Sequence, residues 1–132
     1  INGVSEETIR SYRSAKEVVP EIIEFFKKHC PLEKLIFAGY NCPFDYGQIG
    51  GLLFREGFTI SDYFSGRFID VLELVKRAKE MKLLENTRDN KLETMTKSLG
   101  IEHDAAHSAL SDIKATRRLY EIIYFKFKGR KA

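Results

Sequence analysis

Residues 35–45, LIFAGYNCPFD, decide how the chain is read. Leu35 to Tyr40 is a short, nearly continuous apolar run, the pattern of a strand buried on both faces. It gives way to a loop, Asn41 to Pro43, and then to a helical stretch predicted from about Asp45 to Arg55, which Gly57 closes. Ligand sites in open α/β sheets gather where strands end in loops, so an aspartate presented there is a candidate metal-binding carboxylate. An aspartate in that place also serves as an ordinary helix N-cap, and for Asp45 the segment alone leaves both readings open.

On the N-terminal side, Ser5 to Tyr12 reads as a short helix capped by Ser5. Ala15 to Cys30 repeats apolar residues (Val18, Val19, Ile22, Ile23, Phe26) at helical spacing, with Pro20 marking either the start of that helix or a kink in it. On the C-terminal side, Arg67 to Ile69 can form a second short strand, after which Asp70 caps a helix whose apolar face is Val71, Leu74, Val75 and Ala78. Glu85 to Asn90 is a polar loop, and Lys91 to Leu99 is a helix ended by Gly100. The last helix is predicted from about Ser108 to Phe127, with Leu110, Ile113, Leu119, Ile122 and Ile123 on its apolar side. Strands alternating with helices imply an α/β layer structure with a parallel component. Two short strands do not make a stable sheet of that kind, which implies further strands ahead of Ile1.

A chain of 132 residues, 43% hydrophobic and 31% charged, has material for one core and is read as one globular unit. It shows no apolar run of bilayer length, and its opening INGVSEETIR lacks the basic and apolar regions of a signal peptide. The expectation is a cytoplasmic protein with no membrane partner. Cys30 and Cys42 form no CxxC pair and are too few for a disulfide framework, so both are read as buried thiols. A net charge of +3 suits an anionic partner without singling one out.

The second segment with chemical content is His107-Ser-Ala-Leu-Ser-Asp112, followed by Ala115 and Thr116. Five residues of continuous helix rotate by about 500°, leaving the two side chains ~140° apart, so His107 is expected in the loop before the helix and Asp112 in its early turns. An imidazole of ordinary pKa ~6.5 takes a proton from water near neutral pH, while a carboxylate holds a divalent cation that acidifies that water. For a single His and Asp at this spacing, a surface histidine and a solvated helix aspartate are the more common explanation, so the motif alone is a weak signal.

Taken together, the order strand, Asn-x-x-Phe-Asp, helix, strand ending in Ile69-Asp70, helix, Lys91-Leu92, Leu99-Gly100-Ile101, then His107-x-Ala-x-x-Asp112-x-x-Ala115-Thr116 resembles the DEDD exonucleases, the family of polymerase proofreading subunits and oligoribonucleases. The resemblance runs from Gly3 to about Tyr120. It implies a ribonuclease H-like α/β fold, a mixed sheet flanked by helices, with this chain as the C-terminal two-thirds of a single exonuclease domain. Asp45 matches the second-motif metal ligand, Asp112 the last metal-ligating aspartate, and His107 the general base that defines the histidine subtype. Asn41 and Phe44 match positions that shape the substrate groove, and Tyr40, Phe44, Tyr46 and Tyr63 are aromatic residues that could stack on bases, Tyr46 foremost as a substrate contact. Asp70 matches a recurrent residue read as a helix cap.

The family implies two Mg²⁺ or Mn²⁺ ions, attack of an activated water on the last phosphodiester of a single-stranded DNA or RNA 3′ end, and release of nucleoside 5′-monophosphates. Its first motif, Asp-x-Glu on the first strand, has no counterpart here, since the sequence opens at the turn Gly3-Val4-Ser5. Two carboxylates do not balance two divalent ions. The expectation is therefore that a separate N-terminal fragment, or a longer chain, completes the site, a polymerase being a further candidate partner, and that this chain alone is inactive. The rival is a non-catalytic nucleic-acid-binding or protein-docking module that kept the fold. His29 and His103 are expected on the surface, and Lys126, Lys128, Arg130 and Lys131 in a solvated basic tail.

Overall fold

Where the chain first enters a helix, a side chain accepts one of the otherwise unpaired first-turn amides. Ser5 Oγ accepts from the Thr8 amide at 3.1 Å, and α1 (Glu6–Ser11) follows it. A computed structural model describes residues 5–104 and 108–129, apart from the side chain of Ile9. After α1 come α2 (Ala15–His29), β1 (Leu35–Gly39), α3 (Cys42–Arg55), a single 3-10 turn (Ile60–Asp62), β2 (Phe64–Asp70), α4 (Val71–Glu80), α5 (Leu92–Leu99) and α6 (Ala109–Gly129).

β1 and β2 form a two-stranded sheet, and their end contacts make it parallel. The Leu35 amide donates to the Tyr63 carbonyl at 2.8 Å beside one end, and the Asn41 amide donates to the Asp70 carboxylate at 2.8 Å beside the other. The α/β reading with a parallel component holds; the mixed sheet expected from the resemblance has no antiparallel strand among the described residues.

Several boundaries differ from the sequence reading. α2 is not among them: it keeps nearly the span read from the sequence and runs through Pro20, which lies on the exposed side while Val19 and Ile23 are buried. α3 begins at Cys42, ahead of the predicted Asp45, because Pro43 falls in the first turn, where a missing N–H breaks no intrahelical bond. β1 is not buried on both faces: burial alternates along it, and Ile36 is 48% exposed, since nothing among the described residues covers that side. β2 is longer than 67–69, its Ser65, Gly66 and Arg67 being exposed residues that burial pattern alone does not mark as strand. Lys126 and Lys128 lie in the last turn of α6, where the helix dipole favours cations, and not in a loose tail. Arg130 and Lys131 lie outside the described residues.

By contacts the chain divides into Ile1–Ile36 with Tyr46–Gly66, and Phe37–Asp45 with Arg67–Ala132. The first unit is centred on Val19, Ile23 and Leu53, with Phe26, Ile49, Phe58 and Tyr63 packed around them. Gly50 lets α3 approach the turn after it, since a Cβ there would come within 3.2 Å of Ile60 Cγ2. The second unit is centred on Val71, Val75 and Ala78 of α4, Leu84, Met95 of α5, and Leu119 and Ile123 of α6. Gly100, at φ +65°, ends α5 in the left-handed conformation that glycine takes without a Cβ clash.

The inward stripe of α6 is Ala115, Thr116, Leu119 and Ile123. Leu110 and Ile113, expected on that face, are 62% and 65% exposed. At about 100° per residue they fall well off the stripe, whereas Asp112 lies in line with it, one turn before Ala115 and Thr116. Cys42 is buried and Cys30 half-buried, both as free thiols. No described helix is long and apolar enough to cross a membrane.

Because Leu119 is fully buried at the centre of the second unit, Leu119→Ala is expected to destabilise the protein by about 2–5 kcal/mol. Chemical denaturation followed through the unfolding of this region measures it, and a loss well below ~1 kcal/mol would contradict the packing described.

Candidate active site

Where β1 ends, the backbone turns sharply. Asn41 has φ +62°, in the left-handed region that asparagine tolerates better than other residues with a Cβ. Gly39 precedes it because a Cβ there would meet Cys42 Cβ at 3.2 Å. The turn is held by one oxygen: Asp70 Oδ1 accepts from the Asn41 amide at 2.8 Å and from the Leu72 amide at 3.2 Å. Asp70 is thus the N-cap of α4 that the sequence suggested, and it also fixes the loop that leads into α3. The Cys42 thiol points at the Ile69 carbonyl, with Sγ 3.7 Å away. Burial, and then the Asp70 charge, push its pKa up, and Cys42 is fully buried as a packed thiol.

Asp45 lies in the first turn of α3, inside the helix and past the N-cap position. It is exposed, and its carboxylate makes no hydrogen bond or ion pair with the described residues. The helix dipole favours an anion there. Asn41 is exposed beside it, and the Phe44 ring is 65% exposed. Tyr46 belongs to the other unit, half-buried, its ring 6.3 Å from that of Phe64 in a T-shaped contact. Tyr63 packs in that unit against Phe26 at 5.8 Å. Tyr40 donates to the Asn90 carbonyl, and burial, with the charges of Asp70 and Asp89 behind it, pushes the phenol pKa up. Asn90 Oδ1 in turn accepts from Lys79 Nζ at 2.6 Å, and Thr87 Oγ1 from the same ammonium at 2.5 Å, which pins the polar segment 85–90. Burial pulls the Lys79 pKa down, while Asp89 opposes the shift.

Asp112 is placed by Ser108. The Ser108 carbonyl accepts from the Asp112 amide at 2.9 Å, and its Oγ accepts from the Ser111 amide at 3.1 Å, which makes Ser108 the cap of α6. The Asp112 side chain, 40% exposed, points its Oδ1 at His103 Nε2, 2.7 Å away. His103 Nδ1 lies 3.2 Å from Thr96 Oγ1. The His103 side chain is only 8% exposed, which corrects the expectation that it is a surface residue. Nothing periodic in the sequence marks this pairing; it depends on the turn at Gly100 bringing the chain back past the end of α5. His29 is exposed, as expected, with its ring tilted against that of Phe25, centroids 4.3 Å apart. His107, the expected base, lies outside the described residues.

As metal donors, Asp45 and Asp112 are of the hard oxygen type that Mg²⁺ and Mn²⁺ take, but they are too few for six-coordinate cations. Among the described residues no three His, Cys, Asp or Glu gather to hold a metal ion. The donors fit in kind and fall short in number.

The exonuclease family model matches residues 1–120, nearly the whole chain. The protein belongs to this family, the DEDD exonucleases, which act on nucleic acids and generally use divalent metal ions. Over 120 residues it is 28% identical to a DNA polymerase III PolC-type protein of Thermotoga petrophila and 27% identical to that of Thermotoga maritima. Each alignment covers 91% of this chain, which spans 8% of the length of these relatives. No solved structure matches it.

Replacing Asp70 by alanine removes both bonds to its carboxylate. Loss of a cap of this kind costs about 1 kcal/mol, so amide exchange at Asn41 and Leu72 is expected to speed up by ~5-fold or more. Unchanged exchange at both amides would contradict the clamp.

Proposed function

We propose that this chain forms part of a 3′–5′ exonuclease of the histidine subtype with a ribonuclease H-like fold. It would hydrolyse the terminal phosphodiester of single-stranded 3′ ends and release nucleoside 5′-monophosphates. The observation that carries the reading is the family match over residues 1–120, which takes in both the exposed Asp45 in the first turn of α3 and Asp112 at the start of α6. The parallel β1–α3–β2 arrangement, with Asp45 just past a strand end, supports the fold assignment.

Asp45 and Asp112 would hold the divalent ions, Mg²⁺ or Mn²⁺, with the family's Asp-x-Glu pair completing the ligand set. When bound, the ions would polarise the attacking water and offset charge on the departing 3′ oxygen. His107 would take the proton of that water, a task for which an imidazole is suited near neutral pH. The exposed Phe44 ring, beside Asn41, would stack on the terminal base once it leaves its own stack, and Tyr46, next in the chain after Asp45, is the third proposed contact. The PolC-type relatives support a setting in which the domain proofreads DNA for a polymerase.

In the full-length protein, His107→Ala is expected to lower kcat by roughly 10²–10⁴-fold on a single-stranded oligonucleotide. Asp112→Asn is expected to remove metal-dependent digestion. Wild-type rates in both variants would overturn the proposal.

A further inference from the structure

Asp112 stands at the head of the buried stripe of α6, and its side chain is 40% exposed, half inside the protein and half out. A carboxylate in a first helical turn open to water ordinarily samples several rotamers. Here one oxygen is engaged from the inside by His103 Nε2 at 2.7 Å. A carboxylate only accepts, so Nε2 carries the proton. The partner on the other ring nitrogen is Thr96 Oγ1 at 3.2 Å, a residue 1% exposed that also donates to the Glu93 carbonyl at 2.9 Å. Whether the Thr96 hydroxyl gives its hydrogen to Glu93 or to Nδ1, the Nε2–H still faces Asp112.

The segment carrying this imidazole is itself tied at both ends. The Ile101 amide donates to the Thr96 carbonyl at 2.9 Å, and the Asp104 amide donates to Ser111 Oγ at 3.0 Å. Thr116 Oγ1 donates to the Asp112 carbonyl at 2.7 Å, fixing the backbone of the same aspartate one turn further on. Thr96, His103 and Asp112 therefore form a line of polar groups from the buried side of α5 to the first turn of α6. A hydrogen-bonded outer partner of this sort orients a ligand before the metal arrives. Resting on the proposed role of Asp112, we infer that His103, backed by Thr96, is a positioning residue that holds the Asp112 carboxylate in one orientation toward a divalent cation.

The test is Mn²⁺ affinity, measured by titration calorimetry on the full-length protein and its variants, with a thermal melt of each. His103→Leu removes the donor and is expected to weaken Mn²⁺ binding by about 10–100-fold. His103→Gln places an N–H near the position of Nε2 and is expected to recover most of that affinity, whereas the shorter His103→Asn is not. A merely structural strut would not produce that order. Equal Mn²⁺ affinity for Gln, Asn and wild type overturns the inference, and this comparison decides it even if the leucine variant fails to fold. Asp112→Asn separates the two levels. If it loses Mn²⁺ while the His103 variants do not, His103 has no positioning role and the ligand reading stands. If it binds Mn²⁺ like wild type, both fall.

Discussion

The arrangement of the candidate site depends on one carboxylate oxygen. Asp70 Oδ1 receives the amide at the end of the β1 loop and the amide at the start of α4. A backbone in the left-handed region at Asn41 is unfavourable by itself, and the turn would open without a strong acceptor for the amide it exposes. An ionised acceptor suits this because hydrogen bonds to charge are roughly twice as strong as neutral ones. With the turn fixed, α3 starts at Cys42, and Asp45 is carried in its first turn toward solvent instead of capping the helix. The same residue links strand pairing to helix capping, so local and longer-range structure agree at this point.

Asp112 shows a different use of the same elements. It continues the line of Ala115, Thr116, Leu119 and Ile123, positions that are buried against α4 and α5. An unpartnered charge on that line would be costly, and His103 supplies its partner from a turn that Gly100 makes possible. The aspartate is thereby held without being withdrawn from solvent. That combination suits the role proposed for Asp112, since an oriented carboxylate binds a cation better than a freely rotating one.

Much of this was legible in the sequence, for physical reasons that differ from element to element. Ser5, Asp70 and Gly100 announce helix ends because each residue type satisfies an orphan backbone group or a left-handed dihedral. The apolar face Val71, Leu74, Val75 and Ala78 follows from period alone, with Leu74 partly buried and the other three buried. Leu110 and Ile113 depart from the face expected of them, because apolar residues near a helix start fit the pattern loosely until the phase is fixed by Leu119 and Ile123. The exposed middle of β2 gave no burial signal, and its pairing with β1 is a property of the backbone. The motifs single out Asp45 and Asp112 as candidates, whereas the buried contact of His103 with Asp112 depends on how a loop folds back, which no spacing encodes.

The most direct test is digestion of a single-stranded DNA oligonucleotide, labelled at its 5′ end, by the full-length protein in Mg²⁺ and in chelator, with the released products identified by mass spectrometry. The account predicts stepwise shortening from the 3′ end with nucleoside 5′-monophosphates as products, abolished by the chelator. Internal cleavage, removal from the 5′ end, or digestion that persists without metal would contradict it.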